Sequence, residues 1–159
     1  MAYVGVVGPG SARARDEQDA RELGRGLAGR GHVVLCGGLG GVMDAVAAGV
    51  RDGDGVVVGL LPGNDRADGS PHLTVALPTG MGEMRNALLV RSSDVVLSVG
   101  GSWGTLSEVA LALRTGVPVV ALDGWRVLAA DGSEPGPTPV RAGSVAEALA
   151  AVDEIVGGT

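Results

Sequence analysis

The strongest indication of the fold lies in residues 94–115, which read DVVLSVGGSWGTLSEVALALRT. The apolar, β-branched run from Asp94 to Val99 predicts a strand. The amphipathic segment after the Gly100-Gly101 turn predicts a helix that ends near Thr115-Gly116, where a glycine suits the helix C-terminus. A strand joined to a helix by a glycine-rich turn is the repeating unit of parallel α/β folds, so we expect neighbouring segments to repeat it.

The rest of the chain does repeat this unit. Further strands are predicted at Tyr3 to Val7, His32 to Leu35, Val56 to Leu61, Leu73 to Leu77 and Pro118 to Leu122, with a short one beginning at Val140. Further helices are predicted at Asp16 to Ala28, after the Cys36 to Gly41 turn through about Val50, at Gly82 to Arg91, and at Ser144 to Val156 with Ser144 as cap. A polar loop at 64–72 and a Pro/Gly-rich loop at 131–138 interrupt the alternation.

This alternation predicts an α/β fold, a Rossmann-like, doubly wound, mainly parallel sheet with helices on both faces. We expect about six or seven strands. The length of 159 residues and the 45% hydrophobic content are enough for one domain with a core that needs neither disulfide nor metal. We therefore expect residues 1–159 to form a single nucleotide-binding domain of this type.

The composition excludes several functions. All 12 basic residues are arginine, so the chain has no lysine for a pyridoxal phosphate Schiff base or for a Walker-type phosphate loop. The formal charge of −6 gives no general attraction to nucleic acid or to an anionic membrane. The single cysteine cannot form an internal disulfide, and the amino terminus leads directly into a strand pattern. Together these features predict a cytoplasmic protein.

Glycine clusters follow several predicted strands, just before the helices. The carboxyl ends of parallel strands meet at one edge of a sheet, and helix N-termini there offer free N–H groups and partial positive charge to an anion. We therefore predict a phosphate-bearing ligand at this edge; the alternative is that the glycines serve only tight packing of helices on the sheet. The predicted ligand-binding residues are Gly8, Gly10, Ser11, Gly37, Gly38, Thr79, Gly80, Asn86, Gly100, Gly101, Ser102, Trp103, Gly104 and Thr105.

Two charged residues are the best candidates for chemistry at this edge. Glu108 lies about one turn beyond Thr105 and should face the same way, although it could instead cap the helix or meet an arginine. Arg85 comes early in the preceding helix, with a solvated surface arginine as the alternative. Trp103 could stack on a ring or plug its turn. The lone Cys36 and two well-separated histidines give no nucleophile or metal site.

Three segments resemble the LOG family, once labelled lysine decarboxylases. They are Gly37-Gly38-Leu39-Gly40-Gly41-Val42-Met43, Met84-Arg85-Asn86, and Gly100-Gly101-Ser102-Trp103-Gly104-Thr105-Leu106-Ser107-Glu108. The resemblance covers roughly Tyr3 to Leu122 and is closest to a short branch that includes molybdenum cofactor carrier-like proteins. The chain departs from the family's Pro-Gly-Gly-x-Gly-Thr-x-x-Glu motif and its surroundings at Gly100, Ser102 and Asn86, and at Gly82-Glu83 in place of a Met-His pair.

The resemblance implies two alternative functions. LOG enzymes cleave the N-glycosidic bond of cytokinin nucleoside 5′-monophosphates to free base and ribose 5-phosphate, and Arg85 and Glu108 match the two charged positions of their motif. The chemistry needs no cofactor. The alternative is a non-catalytic carrier of molybdenum cofactor, or a nucleotide sensor, that uses the same phosphate site. The resemblance also implies a homodimer or larger homo-oligomer, with the 82–91 and 104–115 helices at the interface.

Overall fold

The computed structural model describes residues 1–158 and contains a seven-stranded sheet in which every neighbouring pair is parallel. The strands are β1 Tyr3–Val7, β2 Val33–Cys36, β3 Val56–Leu61, β4 Val75–Pro78, β5 Val95–Val99, β6 Val119–Leu122 and β7 Val140–Ala142. Their order across the sheet is β4-β3-β2-β1-β5-β6-β7. The predicted doubly wound α/β fold is confirmed.

Within residues 1–158, four α-helices and two 3₁₀ turns lie between strands, and a fifth α-helix follows the last strand. The helices are α1 Ala14–Gly29, α2 Val42–Asp52, α3 Arg85–Arg91, α4 Trp103–Arg114 and α5 Val145–Gly157, and the 3₁₀ turns are Arg66–Asp68 and Gly82–Met84. Ser144 caps α5 as predicted, because its hydroxyl accepts a hydrogen bond from the Glu147 N–H. Among residues 1–158, no helix combines the length and hydropathy needed to span a membrane.

Several predicted elements differ from the structure by one or two residues at their ends, and for two of them the local reason is clear. The helix expected from Gly82 becomes α-helical only at Arg85, because Gly82 has a left-handed φ of 57° that an α-helix does not accept. The fourth strand begins at Val75 rather than Leu73, because the Leu73 N–H still donates to the Ser70 carbonyl in the preceding loop.

Helices cover both faces of the sheet because strand side chains alternate between two apolar cores. On one face, Val95, Leu97 and Val99 of β5 belong to a core that includes side chains of α1, α2 and α5. On the other face, Val96 joins Leu89 and other residues of α3 and α4. All five residues of β5 are buried, as expected for a central parallel strand.

The strand order has a switch point at β1. The chain leaves β1 toward β2, β3 and β4 on one side, whereas β5, β6 and β7 lie on the other side. In doubly wound sheets this arrangement leaves a crevice between the loops that follow the two strands at the switch point, and ligands bind there. The relevant loops here are those after β1 and β5, which contain two of the predicted glycine clusters.

Candidate functional site

A cavity of about 310 Å³ lies at the switch point, at the carboxyl edge of the sheet. The loop after β1 and the start of α1 provide one wall. The turns after β5 and β6 provide the other. The lining residues are Pro9, Ser11, Arg13, Asp16, Gly101, Asp123, Gly124 and Trp125. The structure therefore brings together two of the glycine turns that the sequence places at this edge.

The turn after β5 has a backbone that explains two departures from the LOG motif. Gly100 has a φ of 63°, which a proline ring cannot adopt, so the proline of the motif does not fit this turn. Ser102 caps α4, because its hydroxyl accepts a hydrogen bond from the Thr105 N–H at 3.1 Å and lies 2.9 Å from the Thr105 hydroxyl. The N–H groups of Trp103 and Gly104 have no carbonyl partner within the helix and can serve an anion.

Replacing Ser102 with alanine is expected to lower the free energy of unfolding by about 1 kcal/mol, because the cap of α4 is lost. Urea denaturation measures this change. Ser107→Ala is a matched control, since the Ser107 hydroxyl is exposed on the same helix and donates to the Gly104 carbonyl. The control should change stability by less than about 0.5 kcal/mol. Equal effects of both substitutions would contradict the capping role.

Arg85 is the first residue of α3, Glu108 lies in the second turn of α4, and the two side chains interact electrostatically. Each is only 8% exposed, so Arg85 is not a solvated surface residue and Glu108 is not the helix cap. The Arg85 Nε atom is buried and has no hydrogen-bond partner within residues 1–158. A Cβ on Gly37 would lie 2.5 Å from Arg85 Nη1, so the absence of a side chain at Gly37 leaves room for the guanidinium. The guanidinium thus lies at the turn after β2, close enough to Glu108 for their charges to interact.

Burial changes the protonation of both groups. Burial lowers the pKa of Arg85, and Glu108 opposes that shift. Burial raises the pKa of Glu108 from 4.5 to about 7, while Arg85 acts in the opposite direction. Near neutral pH, Glu108 is therefore divided between its neutral and ionised forms, so it can accept or donate a proton.

Glu108→Gln is expected to stabilise the protein at pH 8 but not at pH 4.5. The folded pKa of Glu108 lies above its ordinary value, so its favourable contribution is complete below pH 4.5 and is lost as the pH rises through about 7. Glutamine has nearly the same shape and never ionises. Thermal or urea unfolding at both pH values should show the variant gaining up to about 3 kcal/mol relative to wild type.

The matched control for this pH experiment is Glu83→Gln. Glu83 is exposed, so its effect on stability should be nearly the same at pH 4.5 and pH 8. A Glu108→Gln variant with a pH profile identical to that of wild type would show that the carboxyl is not desolvated in the folded protein.

The other predicted ligand-binding glycines lie in tight contacts around the crevice. A Cβ on Gly8 would lie 2.6 Å from Val42 Cγ1, and Gly38 has a left-handed φ of 75°. A Cβ on Gly10 would lie 3.7 Å from Met43 Cε, which is an ordinary contact distance. Gly8 thus allows the turn after β1 to pack against α2, Gly38 allows the turn after β2 to pass close to Leu61 of β3, and the role of these glycines toward a ligand stays a prediction.

The Thr79-Gly80 turn lies farther along the edge, after β4. Both the hydroxyl and the N–H of Thr79 donate to the Leu61 carbonyl, at 2.7 and 3.0 Å, and the Gly80 N–H donates to Gly63 at 2.9 Å. A ligand at this turn would have to displace these bonds. Asn86 follows Arg85 in α3 and is partly buried. The predicted roles of these residues also remain untested.

The remaining residues considered in the sequence are the tryptophan at position 103, the cysteine and the histidines. Trp103 is largely exposed and does not plug its turn; its ring meets Trp125 edge to face, with centroids 4.8 Å apart. Cys36 is buried, and burial raises its pKa to about 11, which disfavours a nucleophilic thiolate. His32 accepts a hydrogen bond from the Ala2 N–H. Within residues 1–158, no three His, Cys, Asp or Glu groups are arranged to hold a metal ion.

Sequence reasoning missed the three charged residues of the crevice and its tryptophan. Arg13 donates from Nε and Nη2 to the two carboxylate oxygens of Asp16 at 2.9 and 2.8 Å, and from Nη2 to Asp123 at 2.8 Å. A Cβ on Gly101 would lie 2.5 Å from Trp125 Cδ1, so the indole rests on the turn after β5. Trp125 could have been found, since it is one of only two tryptophans and follows a strand. The Arg13–Asp123 pair spans 110 positions and leaves no local pattern.

The chain is similar to proteins of known structure and to curated relatives. A family model described as the SLOG cluster4 family matches residues 1–154. The molybdenum cofactor binding protein of Rippkaea orientalis is 32% identical, with 98% of both chains covered and a TM-score of 0.86. The molybdenum cofactor carrier protein of Chlamydomonas reinhardtii is 32% identical, with 99% of both chains covered and a TM-score of 0.83.

A rice protein described as a probable cytokinin riboside 5′-monophosphate phosphoribohydrolase is 37% identical over 106 residues. That match covers 64% of this chain and 47% of the rice protein. The comparisons confirm the resemblance to the LOG family and to its carrier-like branch.

Proposed function

Since the chain belongs to the SLOG cluster4 family, we propose that it binds a phosphate-bearing, nucleotide-like ligand at the crevice between β1 and β5 and acts as a carrier. The proposed cargo is the molybdenum cofactor, a pterin that bears a phosphate. One observation carries this choice: the carrier proteins are similar over nearly the whole of both chains, whereas the rice phosphoribohydrolase is similar over less than half of its own length.

Groups at the carboxyl edge beside the crevice suit such a ligand. The N–H groups of Trp103 and Gly104 at the start of α4 would receive phosphate oxygens. Arg85 has a buried Nε without a partner among the described residues, and a charge-assisted hydrogen bond to an anion would satisfy it. These groups are fixed by the sheet before a ligand arrives, which suits tight and stoichiometric binding.

The test is loading with molybdenum cofactor released from a denatured molybdoenzyme. After gel filtration under exclusion of oxygen, we expect about one equivalent of pterin to elute with the protein, as measured by fluorescence after oxidation. The Arg85→Met variant should carry much less, and Arg91→Met, which alters an exposed arginine on the same helix, should carry as much as wild type. Loading of wild type no greater than that of Arg85→Met would overturn the proposal.

The second candidate is a nucleoside 5′-monophosphate phosphoribohydrolase, and the buried Arg85–Glu108 arrangement favours it. With the phosphate held at α4, a ribose would extend toward Glu108, which could stabilise an oxocarbenium-like transition state or activate water. Arg85 would orient Glu108 or the ligand. In that case Glu108→Ala should abolish base release and leave phosphate binding intact.

We also propose that the chain forms a homodimer or larger homo-oligomer through α3 and α4. Met84, Leu88 and Trp103 are exposed apolar side chains at these helices, which an interface would bury. Met84→Glu should shift the protein to monomer in analytical ultracentrifugation. Val56→Glu changes an exposed apolar residue at the amino end of β3 and should not. A monomeric wild type would refute the proposal.

A further inference from the structure

The crevice holds a charge network with an unbalanced carboxylate. Arg13 donates from one edge of its guanidinium, Nε and Nη2, to both oxygens of the nearly buried Asp16, whose side chain is only 4% exposed, so this pair is neutral as a unit. The same guanidinium reaches Asp123, whose side chain is 48% exposed. One positive charge therefore meets two negative charges. The excess negative charge lies at Asp123, at the open side of the cavity.

The backbone holds Asp123 firmly at this place. The residue has a left-handed φ of 51°, a conformation that aspartate and asparagine accept more readily than most residues. A Cβ on the next residue, Gly124, would lie 3.2 Å from the Gly100 carbonyl oxygen, so the turn after β6 packs closely on the turn after β5. Arg13 occupies one of the roughly four acceptor positions of the Asp123 carboxylate. The remaining positions are available to donors in the crevice.

A planar aromatic side chain adjoins this carboxylate. Trp125 lines the same cavity and lies against Gly101. Its ring also contacts the Trp103 ring edge to face, with the two ring planes at 84°. Gly101 immediately precedes the cap of α4. The cavity thus has one end at Gly101, next to the helix start with its partial positive charge, and a donor-attracting end at Asp123, and the Trp125 indole lies against Gly101 on the same lining. A ligand that fits both ends is anionic at one end and presents N–H donors on a flat ring at the other.

We propose that Asp123 and Trp125 form a subsite for a 2-amino-4-oxopyrimidine ring, the donor edge that guanine and pterins share, and that they select it against adenine. The inference rests on the proposed binding of a phosphate-bearing ligand at this crevice. Such a ring presents two adjacent N–H donors that match a carboxylate. Adenine presents a ring-nitrogen acceptor at the same position, which a carboxylate repels. Trp125 supplies a surface on which a flat ring can stack.

The experiment is a titration followed by tryptophan fluorescence. The probes are GMP, IMP, AMP and neopterin monophosphate, added to the full chain. We expect GMP and neopterin monophosphate to bind at least about 10-fold more tightly than AMP, with IMP between them because it lacks the 2-amino donor. In a Trp103→Phe protein, Trp125 is the sole tryptophan and its emission should still respond to GMP; in Trp125→Phe the response should be lost.

Asp123→Asn is the decisive variant, because asparagine tolerates the left-handed φ while removing the charge. Its preference for GMP over AMP should fall to within about twofold, if one paired carboxylate carries the discrimination. Asp153→Asn is the matched control, since Asp153 is also an aspartate that pairs with an arginine, Arg30, outside the crevice. It should keep the wild-type preference. Thermal unfolding verifies that both variants are folded, and the comparison of IMP with GMP on wild type tests the same edge without a substitution.

The outcomes separate this inference from the function on which it rests. If none of the four probes binds, the proposed function is wrong and the subsite falls with it. If GMP and AMP bind equally well to wild type, the phosphate site stands and the subsite is wrong. Tighter binding of neopterin monophosphate than of GMP supports the subsite with a pterin as its occupant, and the reverse order supports it with a guanine nucleotide.

Discussion

The Arg85→Met protein is expected to bind a phosphate-bearing ligand about 100-fold more weakly than wild type, while its folded state loses no stability at pH 6. The guanidinium is buried, its Nε has no partner among the described residues, and its charge is costly to desolvate. Methionine fills the same space without that cost. A loss of about 100-fold corresponds to removal of one buried, charge-assisted contact to the ligand.

The control for this prediction is Arg91→Met, on the exposed side of α3. At pH 6, Glu108 is largely protonated, because its pKa is about 7, so the loss of Arg85 leaves no isolated negative charge behind. GMP titration and urea unfolding on the same samples give the two quantities. Reduced stability with unchanged affinity would assign Arg85 to the fold rather than to the ligand.

Gly49→Ala is expected to reduce the free energy of unfolding by about 3 kcal/mol, which lowers the melting temperature by about 6–12 °C. A Cβ on Gly49 would overlap the Arg21 carbonyl of α1, and one on Gly24 would overlap the Val46 carbonyl of α2. Both obstacles are backbone, which cannot rotate away. The glycines therefore permit α1 and α2 to cross in backbone contact beneath the crevice loops.

Gly29→Ala is the matched control for Gly49→Ala. Gly29 ends α1, and a Cβ there would meet no atom within 4 Å. Alanine at this position should be neutral or slightly stabilising, because it restricts the unfolded chain. Differential scanning calorimetry of both variants gives the comparison. A Gly49→Ala protein as stable as Gly29→Ala would mean that the two helices can separate at little cost.

The fold could be predicted from sequence because its signals are local. The β-branched runs and the glycine turns alternate regularly, and burial of both sheet faces makes four of the five residues of β5 apolar. The start of α3 could not be predicted, because whether Gly82 adopts a left-handed φ depends on the path of the preceding loop. The same holds for the late start of β4, which a hydrogen bond to Ser70 sets.

The positions of the residues proposed to bind phosphate could be predicted, whereas those of the residues proposed to bind a ring could not. The helix start at Ser102 and the charged residues Arg85 and Glu108 fall at regular positions after strands and are visible in a local pattern. Asp123 pairs with Arg13, which is distant in sequence. The two residues come close only when β1 and β6 lie in the same sheet. Selectivity among ligands depends on such long-range pairs.

The most direct test is incubation of the purified protein with a panel of nucleoside 5′-monophosphates and a pterin phosphate, with free base followed by chromatography and bound ligand by equilibrium dialysis. Glu108→Ala serves as the control. We predict stoichiometric binding of the preferred ligand without release of base. Many equivalents of free base from wild type and none from Glu108→Ala would contradict the carrier and make the protein a phosphoribohydrolase.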